Sequence, residues 1–96
     1  MEDIKVLLNI DVTGGNYCHV GLSKGYAVMI DNFSSDWNCM IIKYPCKHFD
    51  EDAFLDFIIW NQWKTEKIFN FHIDFENTTE DQMKVYTKRA LKHIRL

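Results

Sequence analysis

The segment from Phe49 to Trp63 is the sequence feature that most limits what this chain can fold into. It reads Phe-Asp-Glu-Asp-Ala-Phe-Leu-Asp-Phe-Ile-Ile-Trp-Asn-Gln-Trp. This pattern predicts a helix beginning at Asp50, whose carboxylate suits the free N–H groups of a first turn. Glu51 and Asp52 follow, where the helix dipole favours negative charge.

The apolar face predicted for this helix is unusually wide. Its residues recur at three- and four-residue spacing and occupy more than half of the circumference: Phe54, Leu55, Phe57, Ile58, Ile59, Trp60 and Trp63. A sheet covers about 100 degrees of a helix in an ordinary small domain. We therefore expect part of the Trp60/Trp63 side to remain open to a partner.

Four strands are predicted before this helix. Alternation at Ile4, Val6, Leu8, Ile10 and Val12 predicts a strand with one buried face, and Gly14-Gly15 predicts a hairpin turn after it. Further strands are predicted over residues 17–22, 26–31 and 37–44, the last of them ended by Pro45. Short turns between consecutive strands indicate an antiparallel meander.

A strand and a second helix are predicted after residue 63. Phenylalanines on alternate positions predict a strand over residues 67–75, and Thr79 with Gln82 forms the pattern of a capping box. The helix should run from about residue 80 to residue 95, with an apolar stripe at Met83, Tyr86, Ala90, Leu91 and Ile94.

The order of elements predicts an α+β fold. Residues 1–96 form one domain: a four-stranded antiparallel meander, a helix, a fifth strand and a C-terminal helix. Because each helix has one strong apolar stripe, we expect both helices to pack on one face of a single sheet. A helix between the fourth and fifth strands would also allow that pair to be parallel.

The cysteines and the hydropathy of the chain indicate its cellular compartment and bear on its need for cofactors. Cys18, Cys39 and Cys46 are odd in number and widely spaced, which indicates free thiols, with Cys18 and Cys39 as small strand hydrophobes. No apolar run reaches the roughly 18 residues of a membrane helix, and the acidic start is unlike a signal peptide. We expect a cytoplasmic protein that needs no membrane and no cofactor. No metal site is expected, because Cys46-Lys47-His48 offers two zinc ligands where four are needed.

One stretch favours an enzyme. The run from Asn9 to Asn16, followed by two further strands, resembles the opening of ribonuclease H-like and actin-like domains. That resemblance implies a metal-dependent phosphoryl-transfer enzyme, with Asp11 as the metal-binding acid of the first strand and Asp74 as a second. The competing interpretation is that both are solvent-facing strand residues.

Charge is unevenly distributed along the chain. The formal net charge is −3, yet Lys84, Lys88 and Lys92 recur at four-residue steps on the second helix, with Arg89, His93 and Arg95 beside them. Such a stripe could contact phosphates, which makes a nucleic-acid-binding accessory protein one alternative. The other interpretation is a solvated face that complements the helix dipole.

The acidic residues favour a different partner. Residues 31–56 contain six acids and only two lysines. If the loop after the third strand lies near the start of the helix, the acids form a patch beside two tryptophans. The predicted partner-binding residues are Asp31, Asp36, Trp37, Glu51, Asp52, Asp56 and Trp60. Carboxylates steer a basic partner, and aromatic side chains anchor it. The alternative is a capped helix start with both tryptophans buried.

These observations favour a non-enzymatic protein that binds another protein with a basic surface. In size, charge and architecture the chain is similar to immunity proteins against toxin nucleases and to viral anti-CRISPR proteins that block bacterial defence nucleases. This similarity implies a stoichiometric inhibitor of a basic or nucleic-acid-handling protein. A homodimer closed by the Trp60/Trp63 face is a further alternative.

Overall fold

A five-stranded antiparallel sheet in meander order forms the centre of the protein. The computed structural model describes residues 3–12, 14–31 and 38–94. The strands are β1 Lys5–Asp11, β2 Tyr17–Ser23, β3 Gly25–Asp31, β4 Cys39–Tyr44 and β5 Thr65–Phe69, and the helices are α1 Glu51–Trp60 and α2 Glu80–Leu91. Each strand pairs with its neighbours in chain order. The predicted α+β fold and its order of elements are confirmed.

The last strand pair is antiparallel and not parallel. Cys39 pairs with Phe69, and Ile41 pairs with Lys67. The backbone N–H of Lys43 donates to the carbonyl oxygen of Lys64 at 3.0 Å. The chain that leaves β4 therefore returns, through α1, to the same end of the sheet, and β5 must run back from there.

The two helices differ from the expectation of packing on one face of the sheet. One buried cluster joins α1 to Ala27, Met29, Met40, Ile42 and Tyr44. A second buried cluster joins α2 to the alternate residues of the same strands, which are Val28, Ile30, Cys39 and Ile41. Since successive side chains of a strand point to opposite faces, α1 and α2 cover opposite faces of the sheet. The sheet is buried on both sides, which explains why β3 and β4 are apolar at nearly every position.

Strand β1 contains a bulge that changes which residues face which helix. Leu7 pairs with Val20 and Ile10 with Cys18, so three steps on β1 oppose two on β2. Asn9 lies in the left-handed region at φ 54°. The extra residue reverses the alternation, so Val6 packs on the α2 side, Ile10 and Val12 on the α1 side, and Leu8 is exposed. The predicted common face for these residues is therefore wrong.

Strand β5 is shorter than predicted. It ends at Phe69, which pairs with Cys39, the first residue of β4. Residues 70–78 then cross the α2 side of the sheet. The side-chain amide of Asn38 both donates to the carbonyl oxygen of Phe71 and accepts from its N–H. Phe71, Ile73 and Phe75 pack on the second cluster, so their alternation reflects burial and not strand pairing.

Both predicted helix starts are confirmed. The Asp50 carboxylate accepts from Ala53 N–H at 2.8 Å, and Thr79 with Gln82 forms a reciprocal capping box. The ends are earlier than predicted, at Trp60 and Leu91. Within the described ranges, neither helix is long and apolar enough to cross a membrane.

Candidate functional site

The outward side of α1 carries an exposed surface that combines acids with large apolar side chains. Asp52, Asp56 and Trp60 follow one another at four-residue steps, which places them along one side of the helix, and Ile59 is adjacent. Trp60 is 80% exposed and Ile59 is 63% exposed. We call these four residues the α1 outer face. Part of the wide apolar face is thus open on the Trp60 side, as expected, and Ile59, which belongs to the same face, is exposed with it.

The inner side of α1 holds this surface on a packed base. Phe54, Phe57 and Ile58 are buried, and the Phe54 and Phe57 rings meet the buried Tyr44 ring edge-on at centroid distances of 5.6 and 5.0 Å. The Tyr44 hydroxyl donates to the carbonyl oxygen of His48 at 2.7 Å. Because two helix rings pack against one strand residue, α1 cannot rotate without losing that contact. The outer face is therefore presented in a fixed orientation.

The acids of α1 have no cationic neighbours along the helix. Glu51 and Asp52 are in the first turn, and no basic residue stands in the last turn. The ion pairs of the described residues include those of Glu66 with Lys43 and Lys64, and of Glu80 with Lys84. The exposed carboxylates of Glu51, Asp52 and Asp56 take no part in them. Their charge is available to an incoming cation.

Asp31 is not part of the α1 outer face. It is half-buried at the end of β3, six residues from Gly25, whose partner in β4 is Tyr44. Six residues of strand span about 20 Å. Asp31 therefore belongs to the sheet, far from the end at which α1 packs on Tyr44. It pairs with Cys18, and burial together with the charges of Asp31 and Asp11 raises the pKa of that thiol to about 12.

Asp36 and Trp37, the other two predicted contact residues, lie outside the described residues. The same holds for the loop that was expected to bring them near the start of α1. Of the seven predicted site residues, the structure thus groups Asp52, Asp56 and Trp60 on one face, with Glu51 in the same helix.

The basic surface lies on the opposite layer. Lys88, Arg89 and Lys92 are exposed on and just after α2, while Lys84 is half-buried and pairs with Glu80 at 3.9 Å. Because α1 and α2 cover opposite faces of the sheet, the sheet separates this positive surface from the acids of α1. Arg95 lies outside the described ranges.

The two acids singled out by the ribonuclease H-like resemblance have local roles. Asp11 accepts from Gly15 N–H at 2.8 Å across the β1–β2 turn, and Asp74 accepts from the Asn77 side chain at 2.8 Å. In the part of the chain that the structure describes, no three histidine, cysteine or acidic side chains group in a way that could hold a metal ion.

A pocket that the sequence did not predict opens beside the bulge of β1. It has a volume of about 510 Å³ and is lined by Leu8, Asn9, Tyr17, His19, Phe75, Glu76 and Thr78. His19 is 4% exposed and uses both ring nitrogens: Nδ1 lies 2.9 Å from Asn9 N, and Nε2 lies 2.8 Å from the Phe75 carbonyl oxygen. The sequence signal was a histidine in the middle of a mostly apolar strand, which does not identify its partners.

Comparison with known proteins adds no identification. No protein-family model, curated protein or solved structure matches this chain.

Proposed function

We propose that this protein is a small, non-enzymatic inhibitor that binds a basic protein through the α1 outer face. The observation that carries the proposal is Trp60, a large aromatic side chain left 80% exposed on a helix whose other exposed positions are Ile59 and three acids. Tryptophan is among the residues most often found at the energetic centre of protein interfaces. Leaving it in water has no benefit for folding.

The surrounding carboxylates account for the kind of partner. Asp52 and Asp56 lie in line with Trp60, and Glu51 adds a third charge at the start of the helix. Such charges accelerate the encounter with a cationic surface and select against acidic ones. Trp60 and Ile59 would then supply the apolar centre that excludes water. A nucleic-acid-binding protein, whose functional groove is basic, is the class of partner that this surface fits best.

The shape of the α1 outer face supports docking on another protein. It extends along the exposed side of a single helix, from Asp52 to Trp60. A helix face with an apolar anchor suits insertion into a groove on a partner. Cys18, Cys39 and Cys46 are free thiols, which supports a cytoplasmic site of action.

Capture from a lysate of the source cell, using matched variants, tests this proposal. We expect the wild-type protein to retain a basic protein that D52K/D56K and Trp60→Ala fail to retain. The matched control is K88E/K92E, which changes two charges on the opposite layer and should retain the partner fully. The partner should then lose its activity at a one-to-one ratio of the wild-type protein.

Kinetics with the captured protein distinguish steering from anchoring. D52K/D56K should lower the association rate and reduce its dependence on salt, whereas Trp60→Ala should mainly raise the dissociation rate. Equal capture by all variants would exclude the α1 outer face, and capture without any effect on the partner's activity would exclude inhibition.

Nucleic-acid binding through α2 is the second candidate, favoured by the exposure of Lys88, Arg89 and Lys92 on a layer without α1's acids. A gel shift at low salt with the wild-type protein and K88E/K92E tests it. Retardation that the variant abolishes would support this function. Unretarded nucleic acid at micromolar protein would exclude it.

A further inference from the structure

The pocket beside the β1 bulge lies outside α1, on the open edge of the sheet. Among the described strands, β1 pairs with β2 alone, and the bulge residues Leu8 and Asn9 form one wall of the pocket. Tyr17 continues that wall from the first position of β2, and Phe75 and Glu76 close the opposite side from the crossing segment. Leu8 and Tyr17 are 39% and 42% exposed. The pocket is therefore open to solvent and lined largely by apolar groups.

The pocket is held in shape by His19. Because Asn9 N–H donates to Nδ1, that nitrogen carries no proton, so the neutral ring carries its proton on Nε2 and donates it to the Phe75 carbonyl oxygen. The imidazole also stacks on the Phe75 ring at 3.8 Å and 7°. One buried side chain thus fixes both walls, the bulge and the crossing segment. Bulges and left-handed non-glycine residues of this kind concentrate at binding sites.

The lining determines what the pocket would accept. With His19 neutral, Glu76 is the only charged side chain among the described lining residues. Tyr17 and Phe75 contribute aromatic rings, whose faces attract cations. Asn9 and the Tyr17 hydroxyl can accept further hydrogen bonds. A cation with an apolar body satisfies all of these groups, whereas an anion would meet the Glu76 carboxylate.

We propose that this pocket binds an organic ammonium group carried on an apolar body, with Glu76 pairing with the ammonium and Tyr17 and Phe75 contacting the apolar part. The site is independent of the α1 outer face, which belongs to a different element and to the other side of the sheet.

Titration of the ¹⁵N-labelled protein with three isosteric probes tests the proposal. The probes are phenethylammonium, neutral 2-phenylethanol and anionic phenylacetate. We expect phenethylammonium to saturate the shifts of the Leu8, Asn9 and Tyr17 amides with a dissociation constant on the order of 1 mM. The neutral probe should bind about fivefold more weakly, and the anion should bind more weakly still.

Two variants assign the binding to the residues named. Glu76→Gln should reduce the affinity for phenethylammonium to that for 2-phenylethanol, while Glu51→Gln, which removes an exposed acid from α1, should leave it unchanged. Equal affinity for the three probes, absence of shifts at tens of millimolar, or an unchanged affinity in Glu76→Gln would each overturn the proposal.

Discussion

The backbone N–H of Asn9 donates a hydrogen bond to Nδ1 of His19 at 2.9 Å. This contact satisfies a donor that the bulge removes from the regular β1–β2 pairing, and it links the edge of the sheet to a buried side chain. The same ring reaches Phe75, 56 residues away in sequence. His19 therefore joins three parts of the chain that no local rule would connect.

Replacing His19 by Phe should destabilise the protein by about 2 kcal/mol, although the substitution retains an aromatic ring to stack on Phe75. Asn9 N–H and the Phe75 carbonyl would lose their partners in a partly buried place. Urea unfolding measures the loss. His72→Phe is the control, because His72 is exposed, and it should change stability by less than about 0.5 kcal/mol. Similar losses in both variants would contradict this role.

Gly21 allows α2 to approach the sheet. A Cβ added at Gly21 would lie against Oγ1 of Thr87, 2.8 Å from its Cγ2 and 2.9 Å from its Cβ. Gly21→Ala should therefore cost about 1–3 kcal/mol by forcing the helix outward. Thr87→Ala in the same protein should recover part of that loss. A double-mutant cycle from chemical unfolding measures the coupling, and additive losses would show that the two positions do not meet.

Stability should fall as pH rises above about 9. Burial raises the pKa of Cys39 from 9.0 to about 12, and burial with Asp31 and Asp11 does the same for Cys18. Burial also raises the pKa of Tyr44 to about 12. Between pH 9 and 12 the unfolded chain loses protons that the folded protein retains, so ionisation favours unfolding. Each of the three groups adds up to about 1.4 kcal/mol per pH unit to the fall in the free energy of unfolding.

Urea unfolding across this pH range checks the prediction. Cys39→Ala removes one of the groups, and the decline of its free energy of unfolding with pH should be shallower. The matched control is Val28→Ala, which truncates a buried side chain without removing a titratable group. It should lower stability but leave the slope close to that of the wild-type protein. If the free energy of unfolding of Cys39→Ala fell with pH as steeply as that of the wild type, the Cys39 thiol would not contribute to the pH dependence.

Truncation of Trp60 should leave stability nearly unchanged, whereas truncation of Phe54 should lower it strongly, although both residues belong to α1. Trp60 is 80% exposed, so Trp60→Ala should change the free energy of unfolding by less than about 0.5 kcal/mol. Phe54 is fully buried against Tyr44, and Phe54→Ala should cost about 3–5 kcal/mol. Thermal or urea unfolding of the two variants tests this. A large loss in Trp60→Ala would show that the indole stabilises the fold and would remove the main support for a binding role.

Several features of the site could be predicted from the sequence because they depend on neighbours in the chain. The spacing of Asp52, Asp56 and Trp60 already placed them on one side of a helix, and the excess of apolar residues indicated that part of that helix would stay exposed. The position of Asp31 could not be predicted, because it depends on which end of the sheet α1 covers. The pocket around His19 could not be predicted either, since its walls come from residues more than fifty positions apart.

The amino-acid sequence by itself determined the order of the strands and helices and the start of each helix, because caps such as Asp50 and Thr79, glycine turns and apolar alternation act over a few residues. Only the tertiary structure decided that α1 and α2 cover opposite faces of the sheet, and that the alternation of β1 reverses at Asn9. An apolar stripe shows that a face must be buried and leaves open what buries it. What buries each stripe is decided when the whole chain packs. The decisive features are the bulge in β1, the return of the chain through α1 to the end of the sheet where β4 finishes, and the contact between Gly21 and Thr87.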